Sequence, residues 1–457
     1  MNTTPATISS FASSAYERLP APVVDLLDDT TATATLRRAG LAITHAQPDY
    51  IRHKSGETSI ISYRFALPGS DAAGLGYAQW CQRSERADEI YDKALTLRPR
   101  PSSVGVSTIR VDAHTVFYGF PNDARLRRLR WFSTDRKLHR AFASLARPGE
   151  QLLGAASTST VLKYKPERRM VARIDLATSR ETRRLLIRYT TTRSARHLAA
   201  TATALLDHGV QTPAPIAQLD DARVGVDTFI DGVELQTWIR NGDAIAAELA
   251  TAMRSFHRTP PLTTTPDRRP SDDLANAIDG LATLSIWNRI LADLARSVAG
   301  FLIATEPPAP DHLSLIHGDL HDKNVLVNDA GVWFVDLERT AAGSVASDLG
   351  RLRAHAISLG IRQPAWSPNS LDHADAVIDH YRFGGEHGRV SAIDDHSIAW
   401  HCAIALVDQA LLVTRHVERG WEANADALLE SAIAELRGAH ARRRGPRTGV
   451  VTTLGAT

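Results

Sequence analysis

A chain of 457 residues, 43% of them hydrophobic, exceeds the usual size of one domain, so two or three compact units are expected. A formal net charge of +2 gives no global field for nucleic acid or an anionic membrane, and the two cysteines, Cys81 and Cys402, are too few for a disulfide framework or a zinc site. A reducing, cytoplasmic setting fits them.

Met1 to Tyr16 is rich in Ser, Thr and Ala but lacks a basic stretch followed by an apolar one, so no secretory signal is read there. From about Asp49 to Pro121, strand-like runs at Ser59 to Leu67 and Thr108 to Phe120 flank a helical stretch around Ala87 to Leu97. This predicts a separate α+β unit, placed at residues 1–145. Its end is a basic helical segment carrying Arg125, Arg127, Arg128, Arg130, Arg136, Lys137 and Arg140 around Leu126, Leu129 and Leu138. That pattern reads as a solvated face over an apolar stripe, with contact to a phosphate or acidic partner as the sharper alternative.

Residues 146–232 form the next expected unit. Three strands, Ser159 to Lys165, Met170 to Leu176 and Leu185 to Thr190, precede an Ala- and Leu-rich helix, Ser194 to Asp207, which stops at Gly209 before Pro213 and Pro215. Strands at Pro215 to Gln218 and Val224 to Ile230 follow, and Leu235 to Ile239 reads as a resumed strand after the Asp231-Gly232 break. Residues 233–440 are mostly helical, apart from a strand-turn-strand insertion over Val325 to Val335. Within them Ile398 to Val413 is the most apolar stretch, but His401, Asp408 and Gln409 interrupt it and it is too short to cross a bilayer. Residues 441–457 read as a disordered basic tail. Ile51-Arg-His-Lys-Ser-Gly echoes Leu162-Lys-Tyr-Lys-Pro-Glu. Two similar hairpins are the simpler explanation and a domain duplication the sharper one.

The chemistry concentrates in Leu315-Ile-His-Gly-Asp-Leu-His-Asp-Lys-Asn324. Phosphoryl transfer asks for a carboxylate near the acceptor hydroxyl, oxygen ligands for Mg²⁺, and cations along the phosphates. An apolar strand delivers Asp319 into a loop, and Asn324 follows five residues later. The strands Val325 to Val327 and Val332 to Val335 then return the chain to Asp336, so that Asn324 and Asp336 share one end of a hairpin where their oxygens can hold a hard cation.

This stretch resembles the catalytic core of the aminoglycoside phosphotransferase and choline kinase superfamily, whose motif runs His-Gly-Asp-Leu-His-x-x-Asn and then Asp-x-Glu. The resemblance covers about Thr158 to Arg437. It implies an α+β, bilobal protein-kinase-like fold, with a five-stranded N-lobe and a mostly helical C-lobe, here preceded by an additional N-terminal α+β domain. It also implies that Asp319 orients and helps deprotonate the acceptor hydroxyl and that Asn324 and Asp336 bind Mg²⁺. His317 braces the loop, Glu338 stands where protein kinases have glycine, and Asp348 secures the catalytic loop. His321 tilts the reading towards small-molecule kinases. His257 reads as a satisfied core histidine.

The N-lobe departs from that family pattern. Arg188 stands where the phosphate-binding lysine is normal, and the helix after it lacks a glutamate to pair with it. Lys165-Pro-Glu-Arg-Arg169 replaces a glycine-rich turn. Lys163 and Lys165 point to one side of their strand, and these two or Arg169 are candidates for phosphate contact, against a reading as exposed hairpin charges. Phe229 and Ile230, at the end of the last N-lobe strand, complete the expected nucleotide-binding set.

The resemblance implies an ATP- and Mg²⁺-dependent transferase acting on a hydroxyl of a small polar molecule, such as an aminoglycoside, amino alcohol or sugar. Neither nucleic acid nor membrane is expected as a partner. Two alternatives stand beside it: a kinase for Ser or Thr of a peptide substrate in natural-product maturation, and a pseudokinase that binds nucleotide without transfer. Asp272, Asp273, Asp279, Asp394 and Asp395 could receive a cationic acceptor, though helix caps and solvated faces are the favoured reading.

Overall fold

The computed structural model describes residues 19–444, apart from 55, 193, 242–244, 306, 310–312, 367–368 and 385–392. It begins with the helices Ala21–Leu27 and Asp29–Arg38. The Asp28 carboxylate caps the second by accepting from the Thr31 amide at 2.8 Å. An antiparallel sheet of five strands follows: β1 (His45–Lys54), β2 (Thr58–Leu67), β3 (Ser70–Cys81), β4 (Thr108–Arg110) and β5 (Thr115–Gly119), in the order β1-β2-β3-β5-β4. The helix Ser84–Thr96 lies between β3 and β4 in sequence. The single run expected at Thr108 to Phe120 is two strands, because Asp112 turns the chain by accepting from the His114 amide at 2.7 Å.

The second sheet holds β6 (Thr158–Lys165), β7 (Arg169–Ala177), β8 (Thr182–Thr190), β9 (Pro215–Leu219) and β10 (Val224–Thr228), in the order β6-β7-β8-β10-β9. The helix Ala195–Asp207 again lies between the third and fourth strands. Both sheets therefore share one topology. β1 ends at Lys54 and β6 ends at Lys165, so the echo between the two hexapeptides falls at the end of the first strand of each sheet.

Neither sheet is isolated. Ile51, Phe65 and Phe117 of the first share a core with Trp287, Trp400 and Leu428 of the C-terminal helices. The basic segment forms a 3₁₀ turn, Arg127–Ser133, and a short helix, Asp135–Ala141. Its Leu126, Leu129 and Leu138, with Phe142 and Leu145, are buried against Met170, Ile174 and Ile187 on one face of the second sheet. Each such side chain contributes about 1.5–3 kcal/mol on burial. The charges of the segment ride on that apolar stripe, and the stripe joins it to the N-lobe.

Beyond β10 the chain is mostly helical. Val233–Glu234 forms a two-residue strand, β11, and Leu235–Arg240 is a helix rather than the resumed strand expected from its sequence. On this side its partner, β13 (Val325–Asn328), is matched by Val233 and Glu234 alone, so the ladder stops there and Leu235 is buried on a helix instead. β12 (Ser314–Ile316) pairs with β15 (Ala341–Gly343), and β13 with β14 (Gly331–Phe334). The helix Asp395–Arg415 is long and apolar enough to cross a membrane by length and composition, but 83% of its apolar window is buried inside the protein. It packs between Val345–Arg362 and Trp421–Arg444. Residues 441–444, expected in a disordered tail, continue that last helix, and 445–457 lie outside the described residues. Cys81 and Cys402 are both buried and free.

Candidate active site

β12 hands the chain to His317 and Gly318, whose amides donate to the two oxygens of Asp348, at 2.7 and 2.9 Å. Gly318 has φ +74°, and a Cβ there would lie 2.1 Å from the Arg339 carbonyl oxygen, so only glycine fits the turn. Asp348 is fully buried at the start of the helix Val345–Arg362. His257 Nε2 donates to it at 3.1 Å, while His257 Nδ1 accepts from the Tyr381 hydroxyl at 2.9 Å. Burial raises the Asp348 pKa, but the His257 bond and the backbone donors outweigh it and hold the carboxyl below its usual range. The core histidine expected at position 257 is thus one post of the loop's anchor. His317 is the other: its Nε2 donates to the Val335 carbonyl at 2.9 Å, tying the loop to the end of β14.

Asn324 Nδ2 donates to the Asp319 carbonyl at 2.9 Å, and the Asn324 carbonyl accepts from the Val335 amide at 3.0 Å. Those bonds place Asn324 beside Asp336, with its side-chain oxygen free of that first bond. Asp336 has φ +59°, a left-handed conformation that aspartate tolerates better than most residues. Glu338 Oε1 is buried without a hydrogen-bond partner among the described residues. An amide oxygen, a carboxylate and an orphaned carboxylate oxygen make a hard donor set that fits Mg²⁺.

Asp319 lies 3.6 Å from Arg339 Nη1 and 3.7 Å from Arg351 Nη1. Burial opposes its ionisation, yet those two guanidiniums, with His321 and His355, hold it well below the ordinary carboxylate range. Arg351 is itself buried and donates to Asp408 at 2.9 Å. Beside this pair the rings of His321 and His355 stack 4.1 Å apart, Gln409 Nε2 lies 2.8 Å from His355 Nε2, and Asp322 sits 3.5 Å from His321.

Across the cleft, Lys163 pairs with Val171, Val171 with Arg188, and Arg188 with Gly225, so the side chains of Lys163 and Arg188 share one face of the second sheet. Lys165 and Arg169 are on that face too. Arg169 ion-pairs with Asp336 at 3.3 Å and with Glu338, reaching from β7 into the carboxylate cluster. Lys163 is pulled down by burial, then by Arg169, and feels Asp336, Asp319 and Glu338 in the opposite direction. Burial, followed by Lys163 and Arg169, pushes Lys165 down to about 8. Arg188 is held by Asp227 of β10 at 2.9 Å, with both side chains nearly buried. The counter-charge missing from the helix after β8 comes from the neighbouring strand. Phe229 and Ile230 follow directly after β10, with the Arg173 guanidinium 5.8 Å from the centroid of the Phe229 ring.

Several contributors carry no recognisable sequence signal. Arg351 and Asp408 meet only through helix packing, and Arg268, which donates to the Gly318 carbonyl at 2.7 Å, lies 50 residues from it in sequence. The turn between β6 and β7 is held from outside the lobe. Asp123 accepts from the Tyr164 hydroxyl at 2.7 Å and from the Glu167 amide at 2.9 Å, and Arg52 of β1 pairs with Glu167 at 3.0 Å. Of the acidic residues considered for a cationic acceptor, Asp394 caps a helix through the Ser397 amide and Asp272 completes a capping box. Asp395 pairs with Arg382, and Asp273 is buried against Arg268.

Residues 149–366 match the model of the family described as Phosphotransferase enzyme family. No curated protein matches the chain. Among solved structures, the chain is similar to a choline kinase from Cryptosporidium parvum, at 13% identity and TM-score 0.48, over 65% of this chain and 93% of that one. It is also similar to a Plasmodium vivax ethanolamine kinase, at 13% identity and TM-score 0.47, over 68% and 90%. A macrolide 2′-phosphotransferase from Brachybacterium faecium aligns at 18% identity and TM-score 0.42, over 64% and 98%.

Proposed function

From the match of residues 149–366 to the phosphotransferase enzyme family, we propose that the chain moves the γ-phosphate of ATP to a hydroxyl of a small polar molecule such as an aminoglycoside, amino alcohol or sugar. One observation carries this reading: Asp319, Asn324 and Asp336 meet at one end of the cleft, opposite the cations Lys163, Lys165, Arg169 and Arg188 of the second sheet. The family is one of phosphotransferases acting on an alcohol group, and this arrangement supplies each part such a transfer needs.

Asp319 orients the acceptor hydroxyl. Held well below the usual carboxylate range, it is a weak base. It therefore suits a loose transfer in which the hydroxyl gives up its proton late, as the new P–O bond forms. Asn324 and Asp336, with Glu338 beside them, would hold Mg²⁺, which when bound neutralises charge on the phosphate oxygens. Arg169 exchanges its carboxylate partners for phosphate when the nucleotide enters. Arg188 is kept extended towards the nucleotide by Asp227. The wall of His355, Gln409 and Asp408 beside Asp319 is hydrogen-bonding throughout, and the Gln409 side-chain oxygen is buried with no partner among the described residues. That lining favours a hydroxyl-rich acceptor. The family's soluble enzymes make a cytoplasmic setting the natural one.

Incubating the protein with γ-labelled ATP, Mg²⁺ and separate panels of aminoglycosides, amino alcohols, sugars and Ser/Thr peptides tests the proposal. Label is expected in one small-molecule pool. Label confined to peptides, or none in any pool, would overturn it.

A further inference from the structure

On the far face of the second sheet from the catalytic carboxylates lies a cavity of about 800 Å³. It is walled by the end of the helix Ser84–Thr96 and its following loop, by the 121–130 segment, and by Tyr189, Asp220 and Arg223 of the N-lobe. Its lining holds eight basic side chains and two carboxylates, in a chain whose overall charge is only +2. Both carboxylates are already engaged. Asp220 is paired with Arg128 at 2.5 Å. Asp123 accepts four hydrogen bonds, from the Arg125 and Leu126 amides, the Glu167 amide and the Tyr164 hydroxyl. Among the described residues, none of Lys93, Arg98, Arg100, Arg125, Arg127 or Arg223 is in an ion pair.

Two independent features show that these cations are organised rather than scattered. Asn122 bonds both the amide and the carbonyl of Arg100, at 2.7 and 2.9 Å, and so fixes where that arginine stands. The Tyr118 hydroxyl and Arg100 Nε, both lining residues' atoms, are buried without a hydrogen-bond partner among the described residues. Tyr118 is only 2% exposed. An unpartnered buried hydroxyl is costly unless something bonds it. Arginine forks around such a donor match the oxygens of a phosphate group.

We propose that this cavity is a second ligand site, separate from the catalytic cleft, for a small molecule bearing phosphate groups. Its volume falls in the range of small-molecule pockets, roughly 300–1,000 Å³, and exceeds what a single inorganic ion fills. The cleft face of the sheet carries Lys163, Lys165, Arg169 and Arg188, whereas the cavity touches the opposite face through Tyr189, so the two sites do not share a side chain. They do share a connection. Asp123 joins the backbone at Arg125 in the cavity wall to the turn between β6 and β7 in the cleft, and a ligand gripped by Arg125 stiffens both.

Calorimetry on the full chain without ATP, using inorganic pyrophosphate as the probe, tests the proposal. Three proteins are compared: the parent, Arg98→Gln/Arg125→Gln in the cavity, and Lys163→Met/Arg169→Met in the cleft. Binding that weakens at least about 10-fold in the cavity variant and persists in the cleft variant is expected, since each charge-assisted bond lost is worth about a factor of ten. In the cleft variant, pyrophosphate should also slow amide exchange at Arg125 to Arg127 and at Glu167. Arg223→Gln alone serves as a second cavity variant should the first fail to fold. Undiminished binding in both cavity variants, loss of binding in the cleft variant, no binding at about 1 mM, or displacement of pyrophosphate by a polyglutamate peptide at lower concentration would each overturn the site.

Discussion

Arg169, the first residue of β7, ion-pairs with Asp336 at the end of the β13–β14 hairpin, 167 residues away in sequence and on the other side of the cleft. With Glu338 on the same guanidinium, this contact joins the lobes at the point where phosphate and cation must enter. Replacing Arg169 by Met should raise KM for ATP about 10-fold, the scale of one lost charge-assisted contact, with a smaller effect on kcat. Steady-state kinetics at saturating acceptor checks it. A change in thermal stability with KM untouched would show a purely structural pair.

Lys165 predicts a pH dependence with two opposite signs. Its folded pKa of about 8 lies below the ordinary lysine value of 10.5, because burial, then Lys163 and Arg169, disfavour the charge. The unfolded chain therefore binds more protons between those values, and Lys165's contribution to stability improves as pH rises through that window. Phosphate binding needs the proton, so kcat/KM for ATP should fall above about pH 8 while kcat, read in the bound complex, holds further. Lys165→Met should remove that alkaline limb. Its persistence in the variant would assign it to another group.

Asp348 is the acceptor for two backbone amides and His257, with no exposure to water. Asp348→Ala strands all three donors in the core and should cost about 3–5 kcal/mol, measured by urea denaturation. Asp348→Asn keeps one acceptor oxygen, should fold, and should lower kcat through a displaced Asp319.

Asp227 answers the charge of Arg188 within the sheet. Asp227→Ala should destabilise the protein by about 3–5 kcal/mol by leaving a nearly buried guanidinium unpaired, and the double variant with Arg188→Met should recover most of that loss. KM for ATP should nevertheless stay raised in the double variant, because the cation on the cleft face is gone.

What the sequence disclosed follows from how local each feature is. The loop from His317 to Asn324, the hairpin and Asp336 are one continuous stretch of chain, and their spacing alone sets them side by side. The five strands and one helix of the second sheet were likewise legible from short apolar runs and from the Gly209 and Pro213 stop. β1 and β3 were not, since Pro48 interrupts the first and Ala-Ala-Gly-Leu-Gly in the second lacks the branched and aromatic residues that mark strands. Asp227, Arg351, Asp408 and Asp123 could not be read at all. Each acquires its role from a partner on another element, and no local pattern records a meeting made by packing.

The central claim, that Asp319 positions the acceptor hydroxyl for transfer from ATP, is tested most directly by one comparison. Transfer of label from γ-labelled ATP to the accepted small molecule is measured for the parent and for Asp319→Ala, alongside nucleotide binding. Turnover should fall at least about 10²-fold while nucleotide affinity survives. Near-normal turnover in the variant would contradict the account.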